Sequence, residues 1–265
     1  FMLVGFLTIG ATNVNAETVK SVTTSDELYN ALLDSKIDVV KLADEITADK
    51  NLKISIVYGD LTIRTLDLNG NKLDLGSSYN ITLKNQNAEE ANFIIKDSGS
   101  TGKIIQTNNN NWPMFQTDAS NASAKINLTI DGGKYVVNQA GTNGGLFYGS
   151  NDGNENNIII KNATVDGYRL LANNINNIVI DNLTLSNPEA SNGSYTDTRL
   201  YMDSTRTYAN ILGENYEAVI KNPDNTEIAI PTSTELGKRI TEISSSANVK
   251  GAIVIREKGG LKVNN

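Results

Sequence analysis

The sequence predicts an all-β protein folded as a right-handed parallel β-helix, with three short strands to each coil. Three observations carry that prediction. A six-residue pattern recurs, most plainly as Asn157-Ile158-Ile159-Ile160-Lys161-Asn162 and again as Asn177-Ile178-Val179-Ile180-Asp181-Asn182. A short alternating run follows each copy, as repeated coils require. The composition agrees: 6% aromatics and 4 prolines in 265 residues, with abundant Asn, suit many short strands joined by tight turns.

Taken in order, the chain opens with the uncharged apolar run FMLVGFLTIGATNVNA. Val14 and Ala16 place small residues ahead of Glu17 as a signal-peptidase site does, so residues 1–16 read as a signal-peptide remnant. The run opens on Phe1 without a positive leader, as a fragment would. It is too short and too polar at its end to span a membrane. Residues 17–36 read as a capping helix: Thr24 caps it, Glu27 closes a capping box, and Leu28, Ala31 and Leu32 form the apolar stripe. Such a helix would act as a lid over the first coil, whose core and backbone are otherwise bare.

Residues 37–194 read as the β-helix. After Leu61, Ile63, Leu66 and Leu68 comes a turn at Asn69-Gly70, and then NITLKN, NFIIKD, NLTIDG, NIIIKN and NIVIDN. Aligned on the leading Asn, the second and fourth positions are always apolar, which directs them to the core at a period of two. The sixth position is Asn85, Asp97, Gly132, Asn162 or Asn182, residues suited to positive φ. The leading Asn side chains should stack as an amide ladder. PMFQT, GLFYG and YRLLAN supply third strands, and six or seven rungs would make a rod of roughly 30 Å. A jelly roll or sandwich is the alternative fold. Residues 195–265, rich in Tyr and Arg at first, read as final rungs and cap or as the start of a further module.

Several function classes are excluded by composition. The net charge of -7 and the lack of a basic cluster argue against nucleic acid. The chain has 0 Cys and 0 His, which removes disulfides, thiolate metal sites and His-based catalysis.

The fifth column of the repeat, Lys84, Lys96, Asp131, Lys161 and Asp181, reads as a charge ladder. A calcium-binding face of Asp131, Asp152, Asp166 and Asp181 is the sharper reading, and Lys161 in its midst argues against it. Arg169, near Asp166, is the candidate base of a lyase; a surface ion pair is the plainer explanation. No carboxylate pair stands out for glycoside hydrolysis. Trp112, Tyr201, Tyr208 and Tyr216 could stack on sugars, or pack in cap and core. The outward column Thr82, Ile94, Thr129, Ile159 and Val179 calls for a covering loop or a contact surface. The insertion from Ser100 to Ala124 is a candidate cover.

The order of signal sequence, SDELYNALLDSKIDVVKLADEIT, LDLNGNKLDL and NITLKN-type repeats resembles the pectate-lyase-like adhesive domains of Gram-positive surface proteins, over about residues 20 to 190. The resemblance implies a β-helix displayed outside the cell with an adhesive role. The expectation is therefore a secreted or cell-surface, non-catalytic module without a cofactor. Its partner would be an extracellular glycan or a host or matrix protein, with no membrane insertion after signal cleavage. The alternative is a Ca²⁺-dependent polysaccharide lyase, with Asp152, Asp166 and Asp181 on the metal and Arg169 as base. A third reading is a structural stalk.

Overall fold

The computed structural model describes residues 17–57, 63–76, 79–86, 89–106, 113–119, 124–137, 145–150, 155–166, 172–186, 216–232, 235–236 and 252–257. The chain begins with β1 (Val19–Val22) and α1 (Ser25–Leu33). It then winds through coils. The first holds β2 (Val39–Leu42), β3 (Ile46–Thr47) and β4 (Leu52–Val57), and the second β5 (Ile63–Asp67), β6 (Lys72–Asp74) and β7 (Ile81–Gln86). The third holds β8 (Glu90–Lys96), β9 (Lys103–Gln106) and β10 (Phe115–Ala119). The fourth is β11 (Lys125–Asp131), β12 (Lys134–Val137) and β13 (Phe147–Tyr148). The fifth is β14 (Glu155–Lys161), β15 (Thr164–Asp166) and β16 (Ala172–Asn173). β17 (Asn177–Asp181) and β18 (Thr184–Ser186) begin another.

Like strands stack in parallel. The first sheet runs β1-β2-β5-β8-β11-β14-β17, the second β3-β6-β9-β12-β15-β18, and the third β4-β7-β10-β13-β16. This is a β-solenoid, as the repeats predict. Its first sheet then changes character. β19 (Tyr216–Lys221), β20 (Glu227–Ile230) and β21 (Ala252–Glu257) extend it in the order β21-β19-β20, every pairing antiparallel.

The core fills the lumen between the sheets. Phe93, Ile95, Leu128, Ile130, Ile158, Ile160, Ile178 and Ile180 are all buried, as the period of two requires. Phe115 from the third sheet meets Tyr135 from the second edge-on, ring centroids 6.0 Å apart. At the start, α1 buries Leu28, Ala31 and Leu32 over the first coil. Thr24 Oγ1 accepts from the Glu27 amide at 3.2 Å, while the Glu27 carboxylate accepts chiefly from the amide of Thr23, at 2.8 Å. The capping box thus extends to the residue before the cap. Among the described residues no helix is long and apolar enough to cross a membrane.

Two readings of the repeat need correction. NITLKN lies in β7 on the third sheet, not in register with the other four copies. Their predecessor on the first sheet is β5, which places Arg64 opposite Phe93 and Ile63 opposite Asn92. Arg64 is buried and donates to the Ile37 carbonyl at 2.9 Å, so a core column position holds a guanidinium with its hydrogen bond satisfied. The described part of the insertion from Ser100 to Ala124 is built into the coil. It supplies β9 and β10, the second and third strands of a coil.

Candidate binding faces

The outer face of the first sheet is built from four columns, because alternate residues of β8, β11, β14 and β17 point outward. The register β8–β11–β14–β17 aligns Asn92, Asn127, Asn157 and Asn177. Asn127 donates to Asn92 at 2.9 Å, Asn157 to Asn127 at 2.9 Å, and Asn177 to Asn157 at 2.6 Å. Each amide serves the rung before it and is served by the next. The expected ladder is present.

Beside it runs the column Lys41, Asp67, Lys96, Asp131, Lys161 and Asp181, alternating in sign at every step. Lys84 does not belong to it; from the third sheet it faces Asp118 at 3.7 Å. Lys161 sits 3.1 Å from Asp131, which also accepts from Asn162 at 3.2 Å. A further outward column, Glu90, Lys125 and Glu155, alternates as well, and Lys125 reaches Glu155 at 3.6 Å. Opposite charges on neighbouring rungs attract mildly, whereas like charges would repel. Between the Asn ladder and the long charge ladder lies the stripe Ile94, Thr129, Ile159 and Val179. Ile159 at its centre is 40% exposed.

The corners are set by backbone conformation. Gly132, Asn162 and Asn182 follow the charge column with positive φ, 84°, 54° and 53°. Asn182 donates to Asn162 at 2.9 Å, a second amide ladder along the edge. Asp97 stands at the same place without positive φ. Its carboxylate instead accepts from the amides of Gly70, Gly99 and Gly102 at 2.7, 3.1 and 2.6 Å. A Cβ at Gly102 would fall 2.6 Å from that carboxylate, which requires glycine there. A cleft of about 440 Å³ opens at this corner between Lys96, Ser98, Ser100, Asp131 and Asn162. Beneath it the Tyr135 hydroxyl is buried without a partner among the described residues, and burial, then Asp97 and Asp131, raise its pKa.

The second sheet's outer face follows another rule. Lys72, Lys103 and Lys134 share one register column. Lys72 meets Glu45 at 2.9 Å, a hydrogen bond that raises its pKa, and Lys134 meets Asp166 at 2.5 Å. Lys103, between them, has no ion pair with a described residue. In the next outward column Asp74, Ile105, Val136 and Asp166 align, so half-buried Ile105 and Val136 flank the central lysine.

The candidates for calcium and sugar binding can now be placed. Asp166 is on the second sheet and given to Lys134, while Asp131 and Asp181 are on the first with Lys161 between them. The structure therefore separates these carboxylates by lysines rather than converging them. Among the described residues no group of three or more carboxylates could hold a metal. Asp152, Arg169, Trp112, Tyr201 and Tyr208 lie outside the described residues. Tyr216 opens β19, opposite Glu257. The lysine column of the second sheet was missed by sequence reasoning. Its signal is the triplet of Lys, an apolar core residue and an outward residue: Lys72-Leu73-Asp74, Lys103-Ile104-Ile105 and Lys134-Tyr135-Val136.

Residues 19–140 match the family model described as "Putative pectate lyase-like adhesive domain". The matched span runs from β1 past β12, and the resemblance read from the helix and the repeats is shown there. No curated protein and no solved structure matches the chain.

Proposed function

We propose, from the match of residues 19–140 to an adhesive-domain family, that this chain is a non-catalytic adhesive module working outside the cell. It presents the outer face of the first sheet to an extracellular glycan or a host or matrix protein. The observation that carries the reading is the exposed Ile159, flanked in its column by half-buried Thr129 and Val179 and set in a face whose polar side chains largely answer one another. Alternating charges and amide ladders leave little for a ligand's ionic groups, so the apolar stripe is what this face offers a partner. The solenoid holds it flat and rigid, which limits the ordering cost of binding. The carboxylates support a role other than catalysis. Asp97 is held by three amides, and Asp131 by Lys161 and Asn162.

The test is an array of glycans and matrix proteins probed with the chain and with Ile159→Glu, with and without Ca²⁺, while unsaturated sugar product is followed. Saturable binding that Ile159→Glu weakens, with no product, is the expected result. Release of unsaturated product would replace the adhesive reading with a lyase.

A further inference from the structure

The second sheet breaks a rule that the first obeys at every step. Along the first sheet, charges on adjacent rungs alternate from Lys41 to Asp181. On the second, Lys72, Lys103 and Lys134 stack on consecutive rungs, about 4.8 Å apart in a sheet. Like charges directly opposite are unfavourable. Native proteins depart from such local rules at functional sites.

We propose that the outer face of the second sheet, centred on Lys103, binds an acidic sugar of an extracellular polysaccharide, a proposal that rests on the adhesive reading. The ligand's charge density follows from the neighbours. Lys72 and Lys134 are already matched by Glu45 and Asp166, which leaves one ammonium, that of Lys103, for one negative charge. Asp74 lies in the next column and adds a negative charge that a densely charged chain would meet. A sparsely charged polymer with a carboxylate on alternate sugars meets both conditions. Ile105 and Val136, on consecutive rungs beside Lys103, provide an aliphatic shelf for the apolar face of the ring. The described part of this face has no aromatic side chain turned outward to stack nucleic-acid bases. Its chemistry is a carboxylate on an ammonium with a sugar ring lying over aliphatic carbon.

The experiment titrates the full chain with hyaluronan fragments, heparin fragments, single-stranded DNA and uncharged dextran, by calorimetry at low and at physiological salt. Hyaluronan is expected to bind and the other three to bind more weakly. Lys103→Gln should lower hyaluronan affinity roughly tenfold, as loss of one charge-assisted hydrogen bond does. Lys103→Arg should retain most of it, and Lys53→Gln, exposed on the third sheet, should match the wild type. Circular dichroism checks that each variant folds. Absence of hyaluronan binding, or an unchanged affinity in Lys103→Gln, would overturn the proposal. So would tighter binding of heparin or DNA, which would mark a site for dense polyanions. If the array partner is still bound through Ile159 while hyaluronan is ignored, this site fails and the adhesive module stands.

Discussion

The first and second sheets are wound from the same coils, yet their outer faces treat charge in opposite ways. On the first, Lys96, Asp131, Lys161 and Asp181 alternate, and Lys161 pairs with Asp131 across neighbouring rungs. On the second, three lysines stack and the middle one has no ion pair with a described residue. Parallel stacking brings like positions of successive coils together, so each outward column either alternates or concentrates one sign. The first pattern stabilises the rod. The second concentrates charge of one sign, which is the basis of the proposed acidic-sugar site.

The comparison presumes that both faces stand on one core, and the largest expected effect tests that. Ile160→Ala, beneath the first sheet, should cost about 2–5 kcal/mol and destabilise the whole solenoid in one transition, read by urea denaturation. Separate unfolding of the two faces would break the comparison at its base. Next is Asp131→Lys, which puts a third ammonium group on the rung between Lys96 and Lys161 and so makes the first sheet's column as uniform as the second's. The expected loss is about 1 kcal/mol, reduced by salt. A smaller effect of opposite sign is expected for Lys103→Glu, which creates alternation on the second sheet: a gain of about 0.2–1 kcal/mol, read in the same way. Stability gained where ligand binding is lost would sharpen the contrast most directly.

The smallest effect lies at the helical end, away from both ladders. The backbone amide and then the hydroxyl of Thr23 hydrogen-bond the Glu27 carboxylate and lower its pKa; the Ser25 hydroxyl does the same for Asp49. Both pKa values are lower in the folded state than in the unfolded one. Their contribution is therefore present above the ordinary carboxylate pKa, about 4, and fades as pH falls through the folded values. A slight drop in melting temperature below pH 4, diminished in Glu27→Gln, is the expected reading.

Much of this was legible in the sequence, for reasons that can be located. The core columns and the Asn ladder follow from a period of two and a fixed leading residue, and both are found where four of the five copies place them. PMFQT, GLFYG and YRLLAN contribute the stacked strands β10, β13 and β16 of the third sheet. The assignment of strands to sheets was less legible. Asn80-Ile81-Thr82-Leu83 has the same pattern on the third sheet as Asn92-Phe93-Ile94-Ile95 on the first, because apolar alternation records burial and not which wall is buried. β5 was hidden by Arg64, whose charge masks a core column position. Of the candidate site, the charge ladder could be read from Lys96 to Asp181, but the exclusion of Lys84 and the extension to Lys41 and Asp67 needed the register. The lysine stack required it entirely, since those three residues meet only after each coil has closed.

The change of pairing direction after β17 has one more consequence. A parallel solenoid can in principle add coils indefinitely, since each new strand presents the same edge as the last. β21, β19 and β20 pair antiparallel and interrupt that succession. The helix at one end and the reversed strands at the other thus act as stops on a ruler, and what lies between sets the number of contact points the proposed adhesive face can offer. Inserting or deleting one coil between the stops would change reach and valency in single-step increments while leaving the chemistry of each step untouched.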